Sequence, residues 1–100
     1  MSSNENEVAN PKIIVIIHGF YYFGDLIESP KEGYIAIKKA AMFGGFDIDA
    51  GLPSVTRGTN NAKVTLNRFD PEEIQFFPEN ACIGILSCIN LYQYSKATVK

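Results

Sequence analysis

KIIVIIHGFYYFGDLIES, residues 12–29, is the stretch whose reading decides the architecture. It is dense in β-branched and aromatic residues, which pack better on a pleated surface than in a helix. From Ile13 to Glu28 it is too long for one flat strand. Gly19 and Gly24 are its natural bend points, because a glycine inside a strand marks a bulge or a corner. The expectation is one strongly bent strand, or two strands in series.

Working outward, Ser29-Pro30-Lys31-Glu32-Gly33 reads as a compact turn. Tyr34–Phe43 (YIAIKKAAMF) follows as a strand, bounded by Gly33 before it and Gly44-Gly45 after it. Lys63–Phe69 resumes alternation, with Val64, Leu66 and Arg68 on one side and Thr65 and Asn67 on the other. Asp70-Pro71 turns the chain. Glu73–Phe77 is a short strand stopped by Pro78, and Ala81–Tyr94 reads as one long strand with a break near Asn90. Between them, residues 44–62 (GGFDIDAGLPSVTRGTNNA) have no regular period and read as a long functional loop. Short strands separated by Gly, Pro and Asn turns predict an all-β fold, a small, strongly bent barrel of five or six strands. Residues 1–10 read as a flexible polar tail and residues 11–100 as one domain, since 100 residues leave no room for two cores.

The formal charge is −2. Glu5 and Glu7 lie in the tail, so the body is balanced, and a long polyanion held by bulk charge is disfavoured. The local distribution is less even. From Ala50 to Phe69 the only charges are Arg57, Lys63 and Arg68, whereas Asp70–Glu79 carries Asp70, Glu72, Glu73 and Glu79. A local anion site is compatible with the neutral total.

Cys82 and Cys88 are the only cysteines. On one extended strand they stand about 20 Å apart, too far for a disulfide. They read as free thiols in a reducing compartment. No basic region precedes the first apolar run, and the uncharged stretch Ala81–Tyr94 is shorter than the roughly 20 residues of a membrane span. A cytoplasmic protein without membrane contact is expected.

Most chemical motifs fail on spacing. IIVIIHGF resembles the strand and turn that feed an α/β-hydrolase oxyanion hole, but no G-x-S-x-G elbow follows. Gly19 and Gly24 frame G-x4-G, with Asp25 where a phosphate loop needs Lys. Asp47 and Asp49 lack the further oxygens of a cation loop, and His18 with the two cysteines has no zinc spacing. No catalytic set, metal site or cofactor is expected. The retained candidates are Arg57, Thr59, Asn60, Asn61 and Lys63, with Gly58 allowing close backbone approach. Cations, a hydroxyl and amides in one segment suit a phosphate or nucleotide. Tyr21 and Tyr22, one on each face of the bent strand, offer stacking or a hydroxyl.

Gly19-Phe20-Tyr21-Tyr22-Phe23-Gly24-Asp25-Leu26 resembles the G-x4-G-x-L motif of Sm-like barrels, which implies an Sm-like or SH3-like fold and, in one version, RNA binding. A fuller resemblance, over about residues 12–89, is to small uncharacterised phage proteins. It rests on Gly19-Phe20, Gly24-Asp25-Leu26, Lys39-Ala40-Ala41, Thr56-Arg57-Gly58 and Ala81-Cys82-Ile83. That resemblance implies a homo-oligomeric sponge that sequesters a phosphorylated small molecule or cyclic nucleotide used as a host immune signal. The alternatives are an Sm-like RNA binder or an inhibitor of a host defence protein.

Overall fold

The apolar run of residues 12–29 folds as a hairpin. β1 (Pro11–Ile16) pairs antiparallel with β2 (Phe20–Ile27), Ile14 opposite Tyr22 and Ile16 opposite Phe20. The reversal is a single 3-10 turn at Ile17–Gly19, in which His18 and Gly19 both have positive φ (72° and 82°). Two consecutive left-handed residues match the right-handed twist of the strands they join. The expected bend at Gly19 is therefore a full reversal. The computed structural model describes residues 7–46, 51–59 and 62–100.

β3 (Tyr34–Phe46) is the longest strand and the centre of the molecule. One edge pairs with β2. The other pairs first with β5 (Gln75–Pro78) and then with β4 (Val64–Arg68). A strand that serves two neighbours on one edge must bend, and it does so at Lys39, where φ is 50° and the pairing with β2 slips. Gly24 lies opposite this bulge. A Cβ there would sit 2.9 Å from the Lys38 carbonyl oxygen and 3.0 Å from the Ile37 side chain. Only glycine lets the two strands approach this closely.

The remaining elements are β6 (Cys82–Ser87), which pairs with β1, and β7 (Ala97–Val99), which runs parallel to β4. The result is one mixed, seven-stranded sheet in the order β6-β1-β2-β3-β4-β7, with β5 on β3. The mostly-β expectation holds. Closure does not: among the described residues no ladder joins β6 to β7, so the sheet is open. Two further expectations are corrected. Residues 44–62 are not irregular throughout, because a short helix, α1 (Gly51–Arg57), occupies their middle. Ala81–Tyr94 is not one strand, because β6 stops at Ser87 and the chain turns through a 3-10 turn at Leu91–Gln93. The Asn90 side chain caps that turn by accepting from the Tyr92 N–H at 3.1 Å.

Each face of the sheet carries a core. Ile13, Phe23, Ala41, Val64 and Leu66 pack with Val55 of α1 and with Leu91 and Tyr92 of the 3-10 turn. On the other face Ile14, Ile37 and Ala40 pack with Tyr22, Phe69 and Phe77, brought over them by the bend of β3. Residues 1–6 lie outside the described residues. Residues 7–10, expected as part of the tail, are anchored. Val8 is buried, the Asn10 N–H donates to Asp25 at 2.9 Å, and Lys39 Nζ donates to the Glu7 carbonyl at 2.9 Å.

The Tyr92 hydroxyl donates to the carbonyl of Lys39, the residue at the kink. Its ring meets Phe23 edge-on at 5.0 Å, and the Arg68 guanidinium lies 5.0 Å from it. Tyr92→Phe keeps the ring and strands the carbonyl, an expected loss of about 1–3 kcal/mol. Urea unfolding of the two proteins measures it, with the midpoint of the variant expected lower at an unchanged slope.

Candidate functional site

The retained segment is built on α1. Pro53 lies in its first turn, where a missing N–H costs nothing, and the Thr56 hydroxyl donates back to the Pro53 carbonyl at 2.7 Å. The helix ends at Gly58, whose φ is 65°. The Gly58 N–H donates to Val55 O at 3.2 Å and the Thr59 N–H to Ser54 O at 3.0 Å. This pair of bonds is a Schellman cap. Thr56-Arg57-Gly58 is thus a helix terminus, and Gly58 has a conformational role. A Cβ on Gly58 would also strike the Ile89 and Tyr94 side chains, so the cap is seated directly on the segment after β6. That seat is reinforced by the Ile89 N–H, which donates to Thr56 O at 2.9 Å.

The candidate side chains flank the cap. Arg57 and Thr59 are exposed at the end of α1, and Lys63 is exposed just beyond the turn that the Ala62 N–H closes on Thr59 O at 3.0 Å. Their side chains make no hydrogen bond or ion pair among the described residues. Asn60 and Asn61 lie outside the described residues, as do Asp47 and Asp49. The two tyrosines part company. Tyr21 packs on the face that carries Val55 and Leu52 of α1, its ring 6.0 Å from Phe43. Tyr22 is on the opposite face, 4.7 Å from Phe77 and 6.3 Å from Phe69, within the second core. The structure therefore brings Arg57, Thr59 and Lys63 into one segment, keeps Tyr21 on their side of the sheet, and sets Tyr22 apart.

Beside this segment lies a groove of about 390 Å3, lined by Leu52, Pro53 and Thr56 of α1 and by Leu86 and Ser87 of β6. The volume falls in the range of small-molecule sites, and its lining is mostly apolar, as such sites are. Of these five residues only Thr56 stood out in the sequence, within Thr56-Arg57-Gly58. The signal that points to them is the run from Pro53 to Gly58, a first-turn proline followed by a C-terminal glycine, which marks a helix even when it is only two turns long.

The two thiols are free and belong to different cores, Cys82 on the Tyr22 face and Cys88 on the Val55 face. Burial pushes the Cys88 thiol up to about 12, against a smaller downward pull from Lys12. At neutral pH it is a thiol and not a nucleophilic thiolate. Burial likewise raises the Tyr92 hydroxyl to about 12, opposed by the nearby Arg68. Among the described residues no three His, Cys, Asp or Glu side chains gather as metal ligands. No described helix is long and apolar enough to cross a membrane. No known protein-family model matches the chain, and no curated protein matches it.

Two outcomes are expected. Gly58→Ala forces a left-handed alanine against Ile89 and Tyr94, and is expected to lower stability by about 1–3 kcal/mol, read by thermal unfolding. Cys88 and Tyr92 both hold their protons longer in the folded state than their ordinary values of 9.0 and 10.0 allow. The unfolded chain then binds fewer protons above pH 9, so stability is flat below that pH and falls as pH rises toward 12. Urea midpoints across this range test the sign, and Cys88→Ala is expected to flatten the slope.

Proposed function

We propose that the chain is a non-enzymatic binding protein that sequesters a phosphorylated small molecule of nucleotide type, acting as a homo-oligomer. The observation that carries this reading is the adjacency of an apolar groove to exposed cations. Thr56 lines the groove, Arg57 follows it directly, and Thr59 and Lys63 extend the same segment. A nucleotide has the matching division, a flat, weakly polar base and a phosphate. The base would lie against Leu52, Pro53 and Leu86, and the phosphate would meet Arg57, Lys63 and the Thr59 hydroxyl. Arg presents a planar fork to phosphate oxygens, and such charge-assisted bonds are about twice as strong as neutral ones. Asn60 and Asn61 add amide donors to the same stretch.

The resemblance over residues 12–89 supplies the physiological frame: a phage-encoded sponge, in the host cytoplasm, for a nucleotide-derived signal of host defence. The kinship that goes with it is to Sm-like or SH3-like proteins, here with an open sheet. In favour stand the β1-β2-β3 meander and the sharp bend of β3 at Lys39, which gives it a partner on each limb.

The test is a titration of the purified protein with cyclic dinucleotides and ADP-ribose derivatives, followed by calorimetry and thermal shift. A rise in melting temperature is expected. Arg57→Ala with Lys63→Ala is expected to weaken binding by about 10–100-fold, the cost of losing charged hydrogen bonds to phosphate. Absence of binding by every phosphorylated probe at millimolar concentration would overturn the reading.

A further inference from the structure

Four of the five large apolar side chains that stand exposed among the described residues gather at one place in the fold. Ile17 is 41% exposed, Phe20 52%, Ile83 66% and Ile85 43%, whereas the fifth, Ile89, lies beside Gly58. Ile17 and Phe20 flank the reversal between β1 and β2, and β6 runs along the other edge of β1. The register groups them around one residue. Cys82 and Phe20 stand opposite Ile16 on its two sides, so β6 and β2 are about 10 Å apart there. Phe20 and Ile85 share the face of Ile16 and Ile14, which is the face of the second core. Ile83 is the bulged residue of β6, between the pairings of Cys82 and Gly84, and Ile17 opens the reversal.

The second core buries Ile14, Ile37 and Ala40 and leaves Phe20 and Ile85 outside it. A contiguous apolar patch on a soluble chain marks an interaction surface. The bulge at Ile83 protects the β6 edge from strand addition, so a contact made here runs through side chains. Neither Ile13–Gly24 nor Ala81–Ser95 contains Asp, Glu, Lys or Arg. Two copies of the patch therefore meet without repulsion between like charges. The four side chains leave roughly 400 Å2 open on each copy. In a two-fold contact the same patch meets itself, and the covered area doubles. Ile16, Tyr22 and Cys82, partly buried beside them, supply the remainder of the about 1,000 Å2 that a specific interface needs. Any other partner has to bring an equal apolar surface of its own, whereas a second copy carries one already.

We infer that two copies of this chain associate through this patch, with Phe20, Ile83 and Ile85 of each copy packing on those of the second and Ile17 at the rim. The contact gives the homo-oligomer of the reading above its surface, but it stands on the exposed side chains and needs no ligand. Val55 of α1 packs in the first core, on the other face of the sheet. The contact therefore does not draw on Arg57, Thr59 or Lys63.

Analytical ultracentrifugation with native mass spectrometry tests the interface. The wild-type chain is expected to be a dimer at micromolar concentration. Phe20→Lys and Ile83→Lys are each expected to weaken self-association at least about tenfold with an unchanged circular dichroism spectrum. Thr98→Lys, an exposed position on β7 at the opposite end of the strand order, is expected to remain a dimer. If Phe20→Lys fails to fold, Ile83→Lys carries the test, because that side chain is 66% exposed. A monomeric wild-type chain, a dimer that survives the patch substitutions, or dissociation by Thr98→Lys as well would overturn the interface. A wild-type monomer that sediments with phosphatidylcholine vesicles would also overturn it and assign the patch to a lipid surface. Calorimetric titration with a cyclic dinucleotide separates the two proposals. A dimer that binds no nucleotide keeps the interface and loses the binding reading, whereas a monomer that binds loses the interface alone.

Discussion

The structure depends on the kink in β3 at Lys39. A straight strand of this length would pair with one neighbour on each side and leave both its faces needing separate cover. The left-handed residue turns the strand so that its first limb takes β5 and its second takes β4. That bend brings Phe69 and Phe77 over Ile14, Ile37 and Ala40, which makes the second core. A left-handed lysine is unfavourable by itself and persists only where its surroundings over-determine it. Here they do. The Tyr92 hydroxyl takes the Lys39 carbonyl, the Lys39 ammonium takes the Glu7 carbonyl, and Gly24 removes the Cβ that would block the approach. The same bonds dock Val8 and the 3-10 turn at Leu91–Gln93 on the first core.

Much of this was legible in the residues. The β-branched and aromatic content of residues 12–29, the turn at Ser29–Gly33 and the alternation of Lys63–Phe69 all led to strands that exist. Gly24 marked a true irregularity. His18-Gly19 was harder, because a bend and a reversal both use positive φ, and the pairing of Ile16 with Phe20 decides between them. The kink at Lys39 left no local signal, since lysine is not a residue that favours a left-handed backbone. Its cause lies in Tyr92, more than fifty residues away. Closure into a barrel was likewise beyond local pattern, because it depends on whether the two outer strands meet.

The candidate segment shows the same division. Arg57, Thr59 and Lys63 stood out by charge and composition, and they do share one exposed stretch of chain. What composition could not supply was the reason that the stretch has a shape. Glycine and proline in residues 44–62 read as absence of structure, yet Pro53 and Gly58 occupy the two helix positions that favour them. The groove then lies between α1 and β6, whose lining residues are far apart in sequence. Tyr21 and Tyr22 carried the opposite lesson. Adjacent in sequence and chemically alike, they belong to different cores because neighbouring side chains on a strand point to opposite faces.

β6 sharpens that point. Along Cys82–Ser87 the apolar residues fall on both faces, so periodicity alone assigns neither to the interior. Leu86 packs partly buried against the first core, whereas Ile85, aligned with the wholly buried Ile14, is 43% exposed on the other face. An isoleucine at position 85 contributes little to the interior of a single chain. A polar residue at this place would cost the fold little. The strand therefore carries apolar surface that the two cores leave uncovered, at Ile83 and Ile85. Burial along β6 thus follows the cover that each face receives and not the polarity of its residues.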